Sequence, residues 1–171
     1  MSFLGRFNNK NGFTLIELIV VIGVISILAT MTISTLDPIA QYQKSTDARK
    51  KSDLSQIQKA LEAYYQDNSR YPETNASFQI MSNAETPAAI DWGQPWQPYM
   101  NILPKSPDGT SYAYYAPEGG QSYYLYASLS RGGKDPQACK TDGSACDGAQ
   151  TYSINCTGVC SYGVTSANVS P

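Results

Sequence analysis

The 171 residues carry 12 Lys and Arg against 14 Asp and Glu, a net charge of −2, with no histidine and 15% charged residues. That length suits one ordinary domain, and the charge balance argues against a nucleic-acid binder that works through a broad basic surface. The missing histidine excludes Ser-His-Asp and Cys-His catalysis and every His-ligated metal site.

In chain order, residues 1–12, MSFLGRFNNKNG, hold Arg6 and Lys10 and no acid. Residues 13–36, FTLIELIVVIGVISILATMTISTL, form an apolar run whose one charge is Glu17. At about 1.5 Å per residue, a helix of this length crosses a hydrocarbon core of about 30 Å. The positive-inside rule keeps Arg6 and Lys10 in the cytoplasm and exports the remainder. A membrane anchor and a secretory signal peptide are the two plain readings. The run is too long for a typical signal core, and no A-x-A site follows it closely. Glu17 is the anomaly: a carboxylate in such a helix costs on the order of 2.5 kcal/mol near the bilayer centre, less at an interface, and is a functional residue by default.

The stretch Gly12-Phe13-Thr14-Leu15-Ile16-Glu17, leading into a long apolar helix, resembles the type IV prepilin signature shared by pilins and type II secretion pseudopilins. The resemblance implies cleavage between Gly12 and Phe13 by a membrane prepilin peptidase that also methylates the new Phe13 amine. It further implies a single-pass cytoplasmic-membrane protein that polymerises with copies of itself into a cell-surface or periplasm-spanning filament. Its partners are then that peptidase, an inner-membrane platform protein and a cytoplasmic assembly ATPase. Cleavage places a positive amine on Phe13, and Glu17 of a neighbouring subunit is its opposite charge. Such a pair in a low-dielectric bundle sets register more than it adds net stability.

Further along the run, Gly23, Ser26, Thr30, Thr32, Ser34 and Thr35 either permit close helix approach or reflect the ordinary composition of membrane helices. Asp37-Pro38 predicts a bend or local break. In the segment 37–66, Leu54, Ile57, Leu61, Tyr64 and Tyr65 share one helical face. Arg49-Lys50-Lys51 reads as a solvated face, with an acidic partner or anionic lipid as the alternative. Residues 51–72 also resemble pilin-like chains, whose long helix ends at a Tyr-Pro turn; Asn68-Ser69 and Pro72 are the stop signals here.

Residues 67–171 form the expected head. Thr86–Ile90 predicts a short helical turn, and Trp92, Trp96, Tyr99 and Met100 predict a loop packed over helix and sheet, or an exposed ledge. Residues 112–116 and 122–129 are strand-like and joined by Pro117-Glu118-Gly119-Gly120, a hairpin signal. Thr151–Asn155 is the expected third strand. A small antiparallel sheet needs a second layer, and the Leu54/Ile57/Leu61 stripe is the natural one.

Cys139, Cys146, Cys156 and Cys160 read as two disulfides on the exported side, with Cys139–Cys146 and Cys156–Cys160 preferred because each closes a short loop. A zinc site is the rival, but the spacing lacks paired C-x2-C knuckles. Major pseudopilins hold calcium in a C-terminal loop; by that resemblance Asp135, Asp142 and Asp147 are the candidate ligands, with turn-forming aspartates as the other reading. No cofactor is otherwise expected.

The expected fold is therefore α+β and pilin-like. A leader (1–12) precedes a hydrophobic helix (13–36) and its amphipathic continuation (37–66), which packs on a small antiparallel sheet bearing a disulfide-bonded C-terminal region. The expected function is that of a type IV pilus subunit, with a type II secretion pseudopilin as the first alternative and a membrane-anchored adhesin or minor pilin as the second. No nucleophile–base pair or phosphate loop marks an enzyme, and no nucleic-acid site is evident.

Overall fold

A computed structural model describes residues 12–35, 37–83 and 86–171. Arg6 and Lys10, on which the leader's orientation rests, lie outside the described residues. Contacts divide the chain at Ala40–Gln41, and the two parts are described separately.

In the first part, α1 spans Leu15–Thr35. Its residues 15–32 carry one charge, Glu17, and lack a continuous polar face, and the helix is long and apolar enough to cross a membrane. A helix with no polar face is stable only where water is absent. Three of its hydroxyls fit that setting by bonding to the helix's own backbone: Ser26 donates to the Ile22 carbonyl (2.7 Å), Thr30 to Ile27 (2.8 Å) and Thr32 to Leu28 (2.8 Å). No polar hydrogen of these three side chains is left for lipid to solvate.

The expected break falls where proline puts it. Helix α2 begins at Pro38 and runs to Asn68, with Pro38 at the first helical position, where its missing N–H costs nothing. Asp37 caps the turn, its Oδ1 accepting from the Ala40 amide at 3.1 Å. The far end stops as expected, with Ser69 in the left-handed region.

In the second part, β3 (Ala113–Tyr115), β4 (Tyr124–Ala127) and β5 (Tyr162–Thr165) make one antiparallel sheet in the order β3-β4-β5. A separate two-stranded ribbon pairs β1 (Ile80–Met81) with β2 (Ala89–Ile90). The β3–β4 hairpin turns at Gly119 and Gly120, both at positive φ. Gly120 is required twice, since a Cβ there would lie 2.9 Å from the Tyr71 carbonyl.

Alternation along β4 sorts its side chains onto two faces. Leu125 and Ala127 join Tyr114 and the buried α2 residues Leu54, Ile57, Leu61 and Tyr64 in one core. Tyr124 and Tyr126 join Ala113, Ala149, Ile154, Cys146, Cys156 and Cys160 in a second core. The sheet is thus covered by α2 on one face and by the disulfide-bonded C-terminal segment on the other. Trp96 is buried, and Trp92, Tyr99 and Met100 pack against the first core, so these aromatics form a packed loop rather than a ledge. Tyr64 meets Trp96 at 5.8 Å and Tyr99 at 5.0 Å.

Three expectations are corrected. Residues 151–155 are not a strand: Asp147–Thr151 form a short helix, α3. Ser153 then enters the left-handed region and the Ile154 amide turns back to the Ala149 carbonyl at 2.9 Å. The third strand is β5, where Gly163 passes the Tyr126 ring so closely that a built Cβ would sit 2.5 Å from it. Thr86–Ile90 ends in strand β2 rather than forming a helical turn, because Ile80 and Met81 offer it a ladder. Arg49-Lys50-Lys51 is not one solvated face. Arg49 is exposed, whereas Lys50 has 0% exposure.

The reason is a polar continuation of the α2 stripe. Thr46, Asp47, Lys50 and Asp53 are buried, one turn apart, on the α2 surface that Leu54 and Ile57 extend. Asp47 accepts from the amides of Ser130 (2.8 Å) and Arg131 (3.0 Å). Lys50 donates to Asp108 and to the Ser128 carbonyl, both at 2.5 Å. Asp53 accepts from the Tyr112 hydroxyl at 2.7 Å. Burial, reinforced by Asp53, pushes the Tyr112 phenol well above its ordinary value, which keeps it a donor. Each buried charge therefore has a partner, as burial demands.

Candidate processing and assembly site

Gly12, Phe13 and Thr14 precede α1 in irregular backbone. Gly12 is exposed with nothing within 4 Å of the position a Cβ would take, and Phe13 is 81% exposed. The bond between them therefore lies open on a short segment just outside the helix, the geometry a peptidase needs.

Thr14 starts the helix. Its Oγ1 accepts from the Glu17 amide at 3.3 Å, and its carbonyl accepts from the Leu18 amide at 3.2 Å. Thr14 is thus the N-cap and Glu17 the third helical residue, the T-x-x-E spacing of a capping box. Sequence reasoning missed this second property of Glu17, although the spacing was there to read. The first turn is also where the helix dipole favours an anion. Glu17 is exposed and spaced four residues from Phe13, so its carboxylate can meet a charge supplied by another molecule.

The cysteines pair as Cys139–Cys146 and Cys156–Cys160. The two loops are stitched side by side, Cys139 donating its amide to the Ser161 carbonyl and Cys146 to the Cys160 carbonyl, both at 2.9 Å.

The three aspartates considered for calcium are not brought together as ligands. Asp135 receives the Lys51 ammonium on Oδ1 (2.6 Å) and Oδ2 (2.7 Å), with Gln137 Oε1 completing that ammonium's shell at 2.9 Å. Burial alone would raise the Asp135 carboxyl, but the Lys51 ammonium and the Gln137 amide outweigh it and hold the group below its ordinary value. Asp142 turns onto the Ser144 amide at 2.9 Å, and Asp147 pairs with Lys140 at 2.7 Å. Calcium takes six to eight oxygens, and among the described residues no three His, Cys, Asp or Glu side chains cluster to hold a metal. This donor set does not fit the ion.

Comparison with known proteins places these features in a family. Residues 38–146 match the model for protein G of the type II secretion system, and residues 7–33 match the prokaryotic N-terminal methylation motif. The chain is similar to the type II secretion system core protein G of Pseudomonas aeruginosa, 34% identical over 128 residues, covering 74% of this chain and 87% of that protein. It is similar to the Escherichia coli core protein G at 30% over 123 residues, covering 71% and 82%. The Klebsiella pneumoniae core protein G is 32% identical over 108 residues, covering 63% and 76%. No solved structure matches the chain. The protein G match covers more than half of the chain and takes in α2 and strands β1 to β4: the chain belongs to the type II secretion system protein G family.

Proposed function

We propose that the chain is a pseudopilin, the structural subunit of a type II secretion filament, released for assembly by cleavage between Gly12 and Phe13. The exposed Gly12–Phe13 bond ahead of the span-length apolar helix α1, with Glu17 its one charge, carries the reading. Membrane insertion through α1 comes first. Cleavage then frees the Phe13 amine, and its methylation leaves it cationic. Glu17 of one subunit pairs with the Phe13 amine of its neighbour, so α1 passes from lipid into a bundle without entering water. A heterologous contact that does not close yields an open helical filament. A prepilin peptidase, a membrane platform protein and a cytoplasmic ATPase are the partners this sequence of events requires.

The family match favours a secretion pseudopilus over a surface pilus. The surface pilus stands as second reading, supported by the two disulfides and the tyrosine-rich head.

The test is a blot for leader removal beside electron microscopy of sheared material. Gly12→Val is expected to leave the leader attached; normal processing would sink the proposal. Glu17→Ala is expected to be processed yet to yield about tenfold less filament or worse, since an unpaired charge in an apolar bundle is costly. Wild-type filament yield from Glu17→Ala would remove the charge-docking step.

A further inference from the structure

The charges of the second part of the chain are sorted along α2. Around its first turns, Asp47, Asp53, Asp108 and Asp135 are all engaged internally, by the Ser130 and Arg131 amides, the Tyr112 hydroxyl, Lys50 and Lys51. The cations are more numerous. Lys44, Arg49, Arg131 and Lys134 make no side-chain hydrogen bond or ion pair among the described residues. Three of these, Lys44, Arg131 and Lys134, line one groove of about 580 Å³ between α2 and the segment 131–137. Lys51, Asp47 and Asp135 line the same groove, so four cations face two carboxylates and the groove is net positive.

The other end of α2 has the reverse imbalance. Asp67 and Glu118 are exposed and make no hydrogen bond or ion pair among the described residues. Glu62 is occupied by the hydroxyls of Tyr71 and Tyr123, and Glu73 has only a long 3.6 Å pairing with Arg70. Arg70, Glu73 and Glu118 line one further cavity beside Tyr71. At about 1.5 Å per residue, Asp67 lies about 35 Å along α2 from Lys44. The two ends are too far apart to neutralise each other, since that distance is several Debye lengths at physiological salt.

We propose that the Lys44/Arg131/Lys134 groove is a docking surface for the acidic end, Asp67 and Glu118, of a second copy of this chain. Every copy carries both halves of the contact, and they sit at opposite ends of one helix. Parallel neighbours staggered by about 35 Å therefore bring base against acid, and the pairing repeats without closing, as a helical filament requires. Complementary charge of this kind fixes register and rejects unstaggered neighbours, which would oppose like charges. The concave shape suits an acidic side chain projecting from a partner better than the flat array of a lipid surface. The proposal rests on the filament reading and adds the contact that sets the stagger.

Charge exchange in cells that carry the assembly machinery tests it, with sheared filament quantified by blot. Lys44→Glu with Lys134→Glu is expected to lower filament yield about tenfold, and Lys44→Gln with Lys134→Gln by less. Asp67→Lys with Glu118→Lys is expected to lower it similarly. All four reversals together restore complementarity and are expected to return most of the yield, which also shows that the changed chains fold. Wild-type yield from the groove reversal overturns the proposal while leaving the filament reading intact. Loss without restoration in the fourfold variant also overturns it. Binding of the wild-type chain, but not the groove variant, to phosphatidylglycerol vesicles would then assign the groove to lipid. Absence of filaments from wild type would instead overturn the filament reading itself.

Discussion

Asp108→Ala is expected to destabilise the head by about 3–5 kcal/mol, more than Lys50→Met at the other end of the same ion pair. The asymmetry comes from burial. The Lys50 side chain has 0% exposure and that of Asp108 has 22%. Deleting the carboxylate strands a fully buried ammonium on one carbonyl, that of Ser128, and an uncompensated buried charge costs about that much. Deleting the lysine strands a carboxylate that can still reach water and keeps the hydroxyls of Ser106 and Thr110 as donors. Replacing the ammonium with a methionine of similar length also leaves no buried charge behind. Denaturant unfolding of the full chain in detergent, at neutral pH, measures both variants. Equal losses, or a larger loss for Lys50→Met, would contradict this account of the pair.

The same pair predicts an acid limb. Burial on its own would raise the Asp108 carboxyl, but the Lys50 ammonium and the Thr110 and Ser106 hydroxyls prevail and hold it far below the usual carboxylate range. Its folded value is thus depressed relative to the unfolded chain. The stabilisation is therefore complete above the unfolded carboxylate value of about 3.9 and is lost as pH falls through the folded one. Asp135, depressed by Lys51 and the Gln137 amide against its own burial, adds to the slope in the same direction. Asp108→Asn is expected to flatten the fall in stability below about pH 4, measured as midpoint against pH.

Reduction of both disulfides is expected to cost about 4–5 kcal/mol and to lower the melting temperature of the head by roughly 10–20 °C. Each bond closes a short loop, with sequence separations of 7 and 4, and loops of that size yield about 2–2.5 kcal/mol each from the restricted unfolded chain. The bonds also belong to the second cover of the sheet. Cys146, Cys156 and Cys160 are buried with Tyr126 and Ile154, so opening them uncovers the face opposite α2. Calorimetry with and without reductant checks the magnitude. Cys156→Ser with Cys160→Ser is expected to reproduce about half of it. An unchanged melting temperature on full reduction would mean that the C-terminal cover holds without its crosslinks.

Most of what leads to the family was legible from neighbouring residues. The Gly12-Phe13…Glu17 spacing, the apolar run and the Asp37-Pro38 break are local along the chain. The Leu54, Ile57, Leu61 and Tyr64 stripe is legible for a related reason, since a helical period of 3.6 reveals an inward face without reference to what covers it. The charge run misled at Lys50. Its charge marks it as outward, and only Asp108 and the Ser128 carbonyl, 58 and 78 residues away, make its burial affordable. Thr151–Asn155 has a strand-like composition, yet the turn between the two crosslinked loops leaves it no partner, and the ladder goes to Tyr162–Thr165.

Sequence by itself determined the capped Gly12-Phe13-Thr14 entry to α1, the apolar helix long enough to cross a membrane and the core-facing stripe of α2, because capping, apolar length and helical period are properties of adjacent residues. Only the tertiary structure decided which strand completes the sheet, that both of its faces are covered, and that four cations gather around two carboxylates in the groove beside Lys44. Those outcomes depend on pairing between residues far apart in the chain, where many partners are chemically acceptable and packing selects one.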